Sequence, residues 1–254
     1  MKICIAVFAL AAGLCAQAPH YPDNGIVNGA NFLPGPLAPN MAASLFGTAL
    51  SWDTKAMGLD DITAREMPTQ LAGVHVVVAG YAAHVYYVSP TQINFLVPSY
   101  LRPGVVDVWV ARDGMAGNVV EVTLAPAAPA LFQTMDAHPL ATHLNGSLIT
   151  AGEPAAPGEI VVLYATGLGC VNSGDNDGTL PSGPEWLCEM DQFSVQLAGS
   201  TVDHKLILYA GVAPGYAGLY QINLRLPPQV PHNPELRIAV GEAVSAAGVI
   251  LPTQ

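Results

Sequence analysis

Positive charge is scarce in this chain: eight Lys and Arg stand against nineteen Asp and Glu in 254 residues, a formal net charge of −11. The basic residues form no cluster, so the footprint that neutralises phosphates is missing and no nucleic acid is expected as a partner. Charge of either sign is thin, at 11%. A coiled coil needs more Lys, Glu and Arg, and a disordered chain needs more charge against less apolar surface, so both classes fall away. Beyond the first residues no apolar run approaches the ~20 needed to cross a bilayer as a helix. Aromatics make up only 7%, which leaves no extended aromatic platform.

What is abundant is apolar residue, 51%, together with 25 Gly and 22 Pro. That composition predicts a compact fold, and the length allows one large or two ordinary domains. Residues 1–18 read as a signal peptide. Lys2 supplies the positive start, Ile3 to Leu14 an apolar segment too short to span a membrane, and Ala16-Gln17-Ala18 an A-x-A cleavage site. Cys15 leaves a lipoprotein alternative, against which Leu14 stands where a small residue is wanted. Loss of Lys2 on cleavage moves the net charge from −11 to −12, which opposes binding to anionic lipid. The mature chain is expected to be soluble, without membrane insertion, secreted or held at the cell surface. Cys4 and Cys15 leave with the leader, so Cys170 and Cys188 remain to close a disulfide around a loop-like stretch, worth about 3 kcal/mol.

Short segments rich in Val, Ile, Tyr and Phe recur with turn residues between them: Val74 to Val78, Ala83 to Val88, Gln92 to Val97, Val105 to Val110 and Val119 to Leu124. Even spacing of this kind predicts antiparallel sandwiches rather than a parallel sheet with crossover helices. Thr54 to Glu66 is the one helical candidate, and Gly58 with Asp60-Asp61 reduces it to a long loop or a turn or two.

The second half repeats the first. Ala38 to Leu50 aligns with Ala156 to Leu168, and Gln92-Ile-Asn-Phe-Leu-Val-Pro98 with Gln221-Ile-Asn-Leu-Arg-Leu-Pro227, the offset growing from 118 to 129. Matching Ala79-Gly80 with Ala210-Gly211 places the extra residues early, in the Cys170 to Cys188 loop. The fold class expected is all-β: two tandem immunoglobulin-like β-sandwich domains after a cleaved signal peptide, over residues 25–128 and 129–254, joined near Pro126 to Pro129. In each Gln-Ile-Asn strand, Ile93 and Phe95, or Ile222 and Leu224, are expected in the core. Gln92 and Asn94 then face the other way, as a structural latch bonded to loop backbone.

Six stretches carry a resemblance: Ile26-Val-Asn-Gly-Ala-Asn-Phe32, Leu37-Ala-Pro39, Leu45-Phe-Gly-Thr48, Tyr87-Val-Ser-Pro-Thr-Gln-Ile-Asn-Phe95, Ile160-Val-Val-Leu-Tyr-Ala-Thr-Gly-Leu-Gly169 and Gly218-Leu-Tyr-Gln-Ile-Asn223. Together they resemble the extracellular C-terminal domain of acidobacterial, Solibacter-type proteins, over roughly residues 25 to 253. The resemblance implies repeats similar to IPT/TIG immunoglobulin-like domains, used in adhesion and protein contact, with no catalytic residues to carry over.

Chemistry-bearing patterns are thin. No serine lies in a G-x-S-x-G elbow, H-E-x-x-H is absent, and His138 and His143 are not at a zinc-ligand spacing. Asp60-Asp61, Glu185 and Glu189 have no spacing that sets a glycosidase pair. No enzyme activity, cofactor or metal is therefore expected. Asp175 and Asp177 offer oxygen ligands that make a weak calcium candidate, but the loop lacks the ladder and terminal Glu of a full site, and a turn is the simpler account. Asn145-Gly146-Ser147 fits both a glycosylation sequon and a hairpin turn, the turn favoured. Binding is the remaining class, with Trp52, Trp186 and Tyr216 as loop aromatics able to meet an extracellular protein or a polysaccharide. Tyr81 and Tyr220 are weaker candidates, and Tyr220 suits a core or inter-domain place. The Cys170 to Cys188 loop is the first expected binding surface and Ala210 to Ala217 the second.

Overall fold

The computed structural model describes residues 17–134, 136–172 and 177–254, so residues 1–16 of the leader, Cys15 among them, and Asp175 lie outside the described residues. Regular structure is β, with single 3-10 turns between strands, and no helix of the described residues is long and apolar enough to cross a membrane. The first half holds β1 (Ile26–Asn28), β2 (Ala42–Phe46), β3 (Lys55–Ala56), β4 (Val74–Val78), β5 (Tyr81–Val88), β6 (Gln92–Leu96), β7 (Gly104–Arg112), β8 (Met115–Ala116) and β9 (Val120–Leu124). The second holds β10 (Ala130–Leu131), β11 (Ala141–His143), β12 (Ile160–Thr166), β13 (Glu185–Trp186), β14 (Phe193–Leu197), β15 (Ser200–Thr201), β16 (Ile207–Val212), β17 (Tyr220–Arg225), β18 (Leu236–Val240) and β19 (Ala243–Val244). Both are immunoglobulin-like sandwiches. Thr54 to Glu66 contains β3 and a 3-10 turn at Leu59–Asp61 instead of an α-helix.

Period-two burial builds each core. In β4, Val74, Val76 and Val78 are buried while His75 and Val77 are only partly so, and β14 repeats the pattern with Phe193, Val195 and Leu197. One apolar cluster gathers residues from Tyr21 to Leu124 and a second those from Leu131 to Leu251. Ile93, Phe95, Ile222 and Leu224 are fully buried, as the strand pattern required. Their polar neighbours behave differently from expectation. Gln92 Nε2 donates to Asn94 Oδ1 at 2.8 Å, and Gln221 Nε2 to Asn223 Oδ1 at 2.8 Å. The amides satisfy each other along one face of the strand, because residues i and i+2 stand side by side there.

Strand register corrects the internal alignment. Leu45 pairs with Ile93 as Leu163 pairs with Ile222, which keeps the offsets of 118 and 129. Tyr87 pairs with Asn94 as Tyr209 pairs with Asn223, an offset of 122, and a bulge precedes each tyrosine, at Val85/Tyr87 and Ile207/Tyr209. Ala79-Gly80 therefore has no counterpart in Ala210-Gly211. Its counterpart is Ala198-Gly199: both dipeptides have positive φ, +53° and +83° against +49° and +77°, as a two-residue hairpin turn requires.

The extra residues then fall in two places. Where β5 runs unbroken, the second sandwich splits the equivalent chain into β15 and β16 with a 3-10 turn at His204–Leu206 between them. Consequently β5 joins all nine strands of the first half into one folded-over sheet, whereas the second half has separate sheets of six and four strands. The larger insertion lies between β16 and β17, where residues 213–219 replace the residues 89–91 that link β5 to β6. The Cys170 to Cys188 region is long between β12 and β13, 18 residues against 8 between β2 and β3. A short β13 to β14 connection, 6 residues against 17 between β3 and β4, cancels that length.

Gly211 shows how close the strands come at this edge. A Cβ there would run into the Glu185 carbonyl on β13 and the Tyr209 hydroxyl. We expect Gly211→Ala to cost about 1–3 kcal/mol by forcing β13 off β16, read as a lower urea midpoint; an unchanged midpoint would show that β13 contributes nothing to the second sandwich.

Candidate functional site

The two sandwiches meet through polar bonds at the ends of β2, β12 and β17. Thr166 Oγ1 accepts from Ala42 N at 2.9 Å and donates to Gly218 O at 2.7 Å, and Asn40 Nδ2 donates to the Tyr220 hydroxyl at 3.3 Å. Tyr220, fully buried, donates in turn to Gly169 O, and burial pushes its phenol well above the usual range. Tyr220 is thus an inter-domain residue.

Beside this seam lies a cleft of 670 Å³. Its first wall is Met57, Leu59, Ile62 and Tyr86; the opposite wall is Phe132, Leu180, Tyr216 and Leu219. The 57–62 segment is fixed on β5 by Met57 N donating to Tyr86 O at 2.9 Å. Its 3-10 turn is tied at Asp61, which accepts from Lys55 Nζ at 2.6 Å and Gly58 N at 2.9 Å. Lys55 and the Gly58 amide hold the Asp61 carboxyl below its ordinary range. Burial raises the Tyr86 phenol above the ordinary range, so it stays a neutral hydroxyl on the cleft wall. The inserted 213–219 loop brings Tyr216 to the rim: Gly215 N donates to Pro181 O at 2.7 Å and Ala213 N to Leu219 O at 2.8 Å. Leu59 is 88% exposed and Tyr216 62% exposed, an apolar rim facing water across an apolar interior.

Of the aromatics singled out in the sequence, only Tyr216 reaches this cleft. Trp52 lies flat on the guanidinium of Arg112, 3.5 Å from its ring centre, and Nε1 donates to Asp113 Oδ2 at 2.8 Å. It serves as a lid over an Arg112 that is completely buried and bonded to Ala49 O; the further bond to Gln17 O belongs to the leader and goes with it on cleavage after Ala18. Trp186 pairs with Gly211 and stands edge-on to Tyr209 at 4.9 Å. Tyr81 makes the same kind of contact with Tyr100 on the first sandwich. Cys170 and Cys188 are joined, as their count required.

Residues 177–180 of the disulfide-closed loop lie against the first sandwich. Met67 N donates to Gly178 O at 2.9 Å and Leu180 N to Arg65 O at 2.7 Å, with a β-bridge between Glu66 and Thr179. Asp177 directs Oδ1 at Ser99 N, 3.1 Å away, and Oδ2 at His84 Nε2, 3.7 Å away. Both oxygens thus face groups of the first sandwich, so this carboxylate bridges the two halves, while residues 173–176, where the turn was expected to begin, lie outside the described residues. Sequence reasoning missed His84. Its signal was a lone histidine inside the apolar strand Ala82-Ala83-His84-Val85.

The remaining ionisable candidates do not converge. His138 Nδ1 bonds Ile250 O, while His143 Nδ1 bonds Glu159, and among the described residues no three His, Cys, Asp or Glu side chains are grouped to hold a metal. His143 is the closest approach to acid-base machinery. Both its ring nitrogens face acceptors, Glu159 and the Glu153 carbonyl, and the Glu159 contact leads in raising its pKa. Ser147 lines the same 530 Å³ pocket, but its hydroxyl donates to Asn145 Oδ1 at 2.8 Å and the imidazole has no free nitrogen aimed at it. Asn145-Gly146 forms the expected hairpin turn, with His143 N donating to Ser147 O at 2.9 Å.

No protein-family profile matches the chain, and no curated protein does. Among solved structures, SGBP-B of a Bacteroides ovatus mixed-linkage glucan utilization locus, in complex with a mixed-linkage heptasaccharide, is 9% identical over 86% of this chain and 44% of that one, with a TM-score of 0.33. The surface glycan-binding protein PbSGBP-B from Prevotella bryantii is 11% identical over 92% and 40%, TM-score 0.27. The N-terminal Ig1-2 module of the Drosophila receptor protein tyrosine phosphatase DLAR is 10% identical over 94% and 96%, TM-score 0.21. The chain spans less than half the length of the two glycan-binding proteins.

Proposed function

We propose that the mature chain is an exported, non-catalytic adhesion or interaction module that grips an extracellular partner protein in the cleft between its sandwiches. The observation that carries this reading is the lining: in a chain of net charge −11, there is no Asp, Glu, Lys, Arg or His among the described residues that line the cleft. Protein-contact cores are depleted in charge and enriched in Met and aromatics, as here with Met57, Met67, Tyr86, Phe132 and Tyr216. Affinity then comes from burying an apolar segment of the partner between rigid walls, with Leu59 and Tyr216 as anchors. Export rests on the 1–18 leader and on the Cys170–Cys188 bond, which belongs in an oxidising compartment.

Polysaccharide is the second reading, favoured by one observation. Trp52 is 54% exposed and its ring is already fixed by Arg112 and Asp113, so stacking a sugar on it costs little rotamer entropy.

The test is retention of the oxidised 19–254 chain on native cell envelopes and on insoluble polysaccharides, comparing Leu59→Asp, Tyr216→Ala and Trp52→Ala. We expect envelope binding to weaken about tenfold or more in the two cleft variants and to survive Trp52→Ala. Retention on polysaccharide that disappears only with Trp52→Ala would reverse the order of the two readings.

A further inference from the structure

His84 is a charged-capable side chain at an inter-domain seam, only 2% exposed. Its Nδ1 sits 2.7 Å from the carbonyl oxygen of Met67. A carbonyl only accepts, so Nδ1 carries a proton. In the neutral ring Nε2 must then be a lone pair, and that lone pair faces the Asp177 carboxylate at 3.7 Å. Only the doubly protonated imidazolium satisfies both neighbours. The ring packs under Gly178, whose φ is +70° and whose position a Cβ could not share with the imidazole.

Among the described residues, few charged or titratable groups surround the ring. Asp177 faces it from the disulfide-closed loop and Glu66 from the 63–66 turn, while the Tyr100 phenol stands beside Asp177. Burial pushes the His84 pKa down, but Asp177, the Met67 carbonyl and Glu66 outweigh it, and the net displacement is upward.

The segment this pair holds is a wall of the cleft. Leu180 lines it, Leu180 N is bonded to Arg65 O, and Pro181 O receives the Gly215 amide that positions the Tyr216 loop. We propose that His84 and Asp177 form a proton-dependent clasp: the imidazolium seats residues 177–181 against Arg65–Met67 and completes the cleft, and loss of its proton releases that wall. As a regulator of ligand capture, the clasp rests on the cleft reading above; as a structural device it stands on its own contacts.

The sign follows from linkage. A histidine whose folded pKa is raised contributes stability that is fully present below its unfolded value, near 6.5, and is lost as pH rises through the folded value. The clasp is therefore tight in mild acid and loose in mild base.

Amide hydrogen exchange on the whole mature chain tests this without any partner. Between pH 5.5 and 8.5, after correction for intrinsic rates, protection of the Met67 and Leu180 amides should fall about tenfold for each unit by which clasping raises the His84 pKa. Core amides such as Ile222 should hold steady. In Asp177→Asn, a change in a partly exposed loop residue that leaves both cores intact, and in His84→Gln, the pH slope should vanish. A flat profile in the unmodified chain, or an equal slope in Asp177→Asn, overturns the clasp. Addition of EDTA should change nothing; loss of Leu180 protection on chelation would assign Asp177 to a bound cation instead. If the clasp is observed but envelope retention does not weaken from pH 5.5 to 8.5, the cleft reading fails and the clasp stands.

Discussion

Replacing Cys170 and Cys188 together by serine is expected to lower the stability of the second sandwich by about 3 kcal/mol, on the order of 10 °C in Tm for a unit of this size. The two cysteines are 18 apart in sequence, a loop whose closure entropy in the unfolded chain gives that figure. Backbone bonds at the loop base, Cys188 N to Cys170 O at 3.1 Å and Asn172 N to Trp186 O at 2.9 Å, remain possible without the bond but must then be ordered from an open chain. The consequence reaches past stability. The same loop carries Asp177, Gly178 and Leu180 onto the first sandwich and holds the Tyr216 loop through Pro181. The double variant should thus lose exchange protection at Met67 and Leu180 at every pH, and lose envelope retention along with it. Calorimetry and amide exchange check the two halves of the statement separately. A loss under 1 kcal/mol with protection retained would mean that the ladder at the loop base suffices.

Much of the architecture was open to sequence reasoning because period-two patterning is local. Val74, Val76 and Val78, or Ile222 and Leu224, declare their buried face within a few residues, and the repeated Gln-Ile-Asn fixes which strands are equivalent. Matching dipeptides was less safe. Ala-Gly recurs through the chain, among other places after Val78, after Leu197 and at Ala210-Gly211, and only backbone conformation separates the hairpin turns at Ala79-Gly80 and Ala198-Gly199 from the Gly211 in mid-strand, where it admits β13. That one mismatch hid the insertion between β16 and β17. With it went the reason why Tyr216, already marked as a loop aromatic, stands at the cleft.

The site itself is tertiary. Trp52 looked like a free loop aromatic because its partners, Arg112 and Asp113, are some sixty residues away, and no pattern at a distance of that kind announces a lid over a buried guanidinium. Cleft walls come from segments between Met57 and Leu219 that approach only when the sandwiches dock. Asp177 illustrates the same limit. Read alone, Asp-Gly is a turn former; in the fold it reaches across to Ser99 and His84.

Phe95→Ala should be the more severe of the single changes, at about 3–5 kcal/mol. Phe95 is fully buried on β6 between Ala43 of β2 and Val85 of β5, so truncation leaves a cavity bounded by paired strands that cannot close on it. Its position also makes it a probe of how far the two sandwiches act as one. The cores are separate clusters, and among the bonds joining the two sandwiches are the Ala42–Thr166 and Asn40–Tyr220 contacts, the Met67–Gly178 and Leu180–Arg65 backbone bonds, the Ser99–Asp177 bond and the His84–Asp177 clasp. Urea unfolding can be followed separately: Trp186→Phe leaves Trp52 and Trp109 to report on the first sandwich, and Trp52→Phe with Trp109→Phe leaves Trp186 to report on the second. At a pH above the raised His84 pKa, where the clasp is open, Phe95→Ala should move the first transition by nearly its full cost and the Trp186 transition by about 1 kcal/mol or less, as expected for distant sites with no shared partner. At pH 5.5 the imidazolium bridge should pass a larger share of the loss to the second sandwich, and Asp177→Asn should remove that share. Equal movement of both transitions at either pH would instead make the chain one cooperative unit whose seam is as strong as its cores.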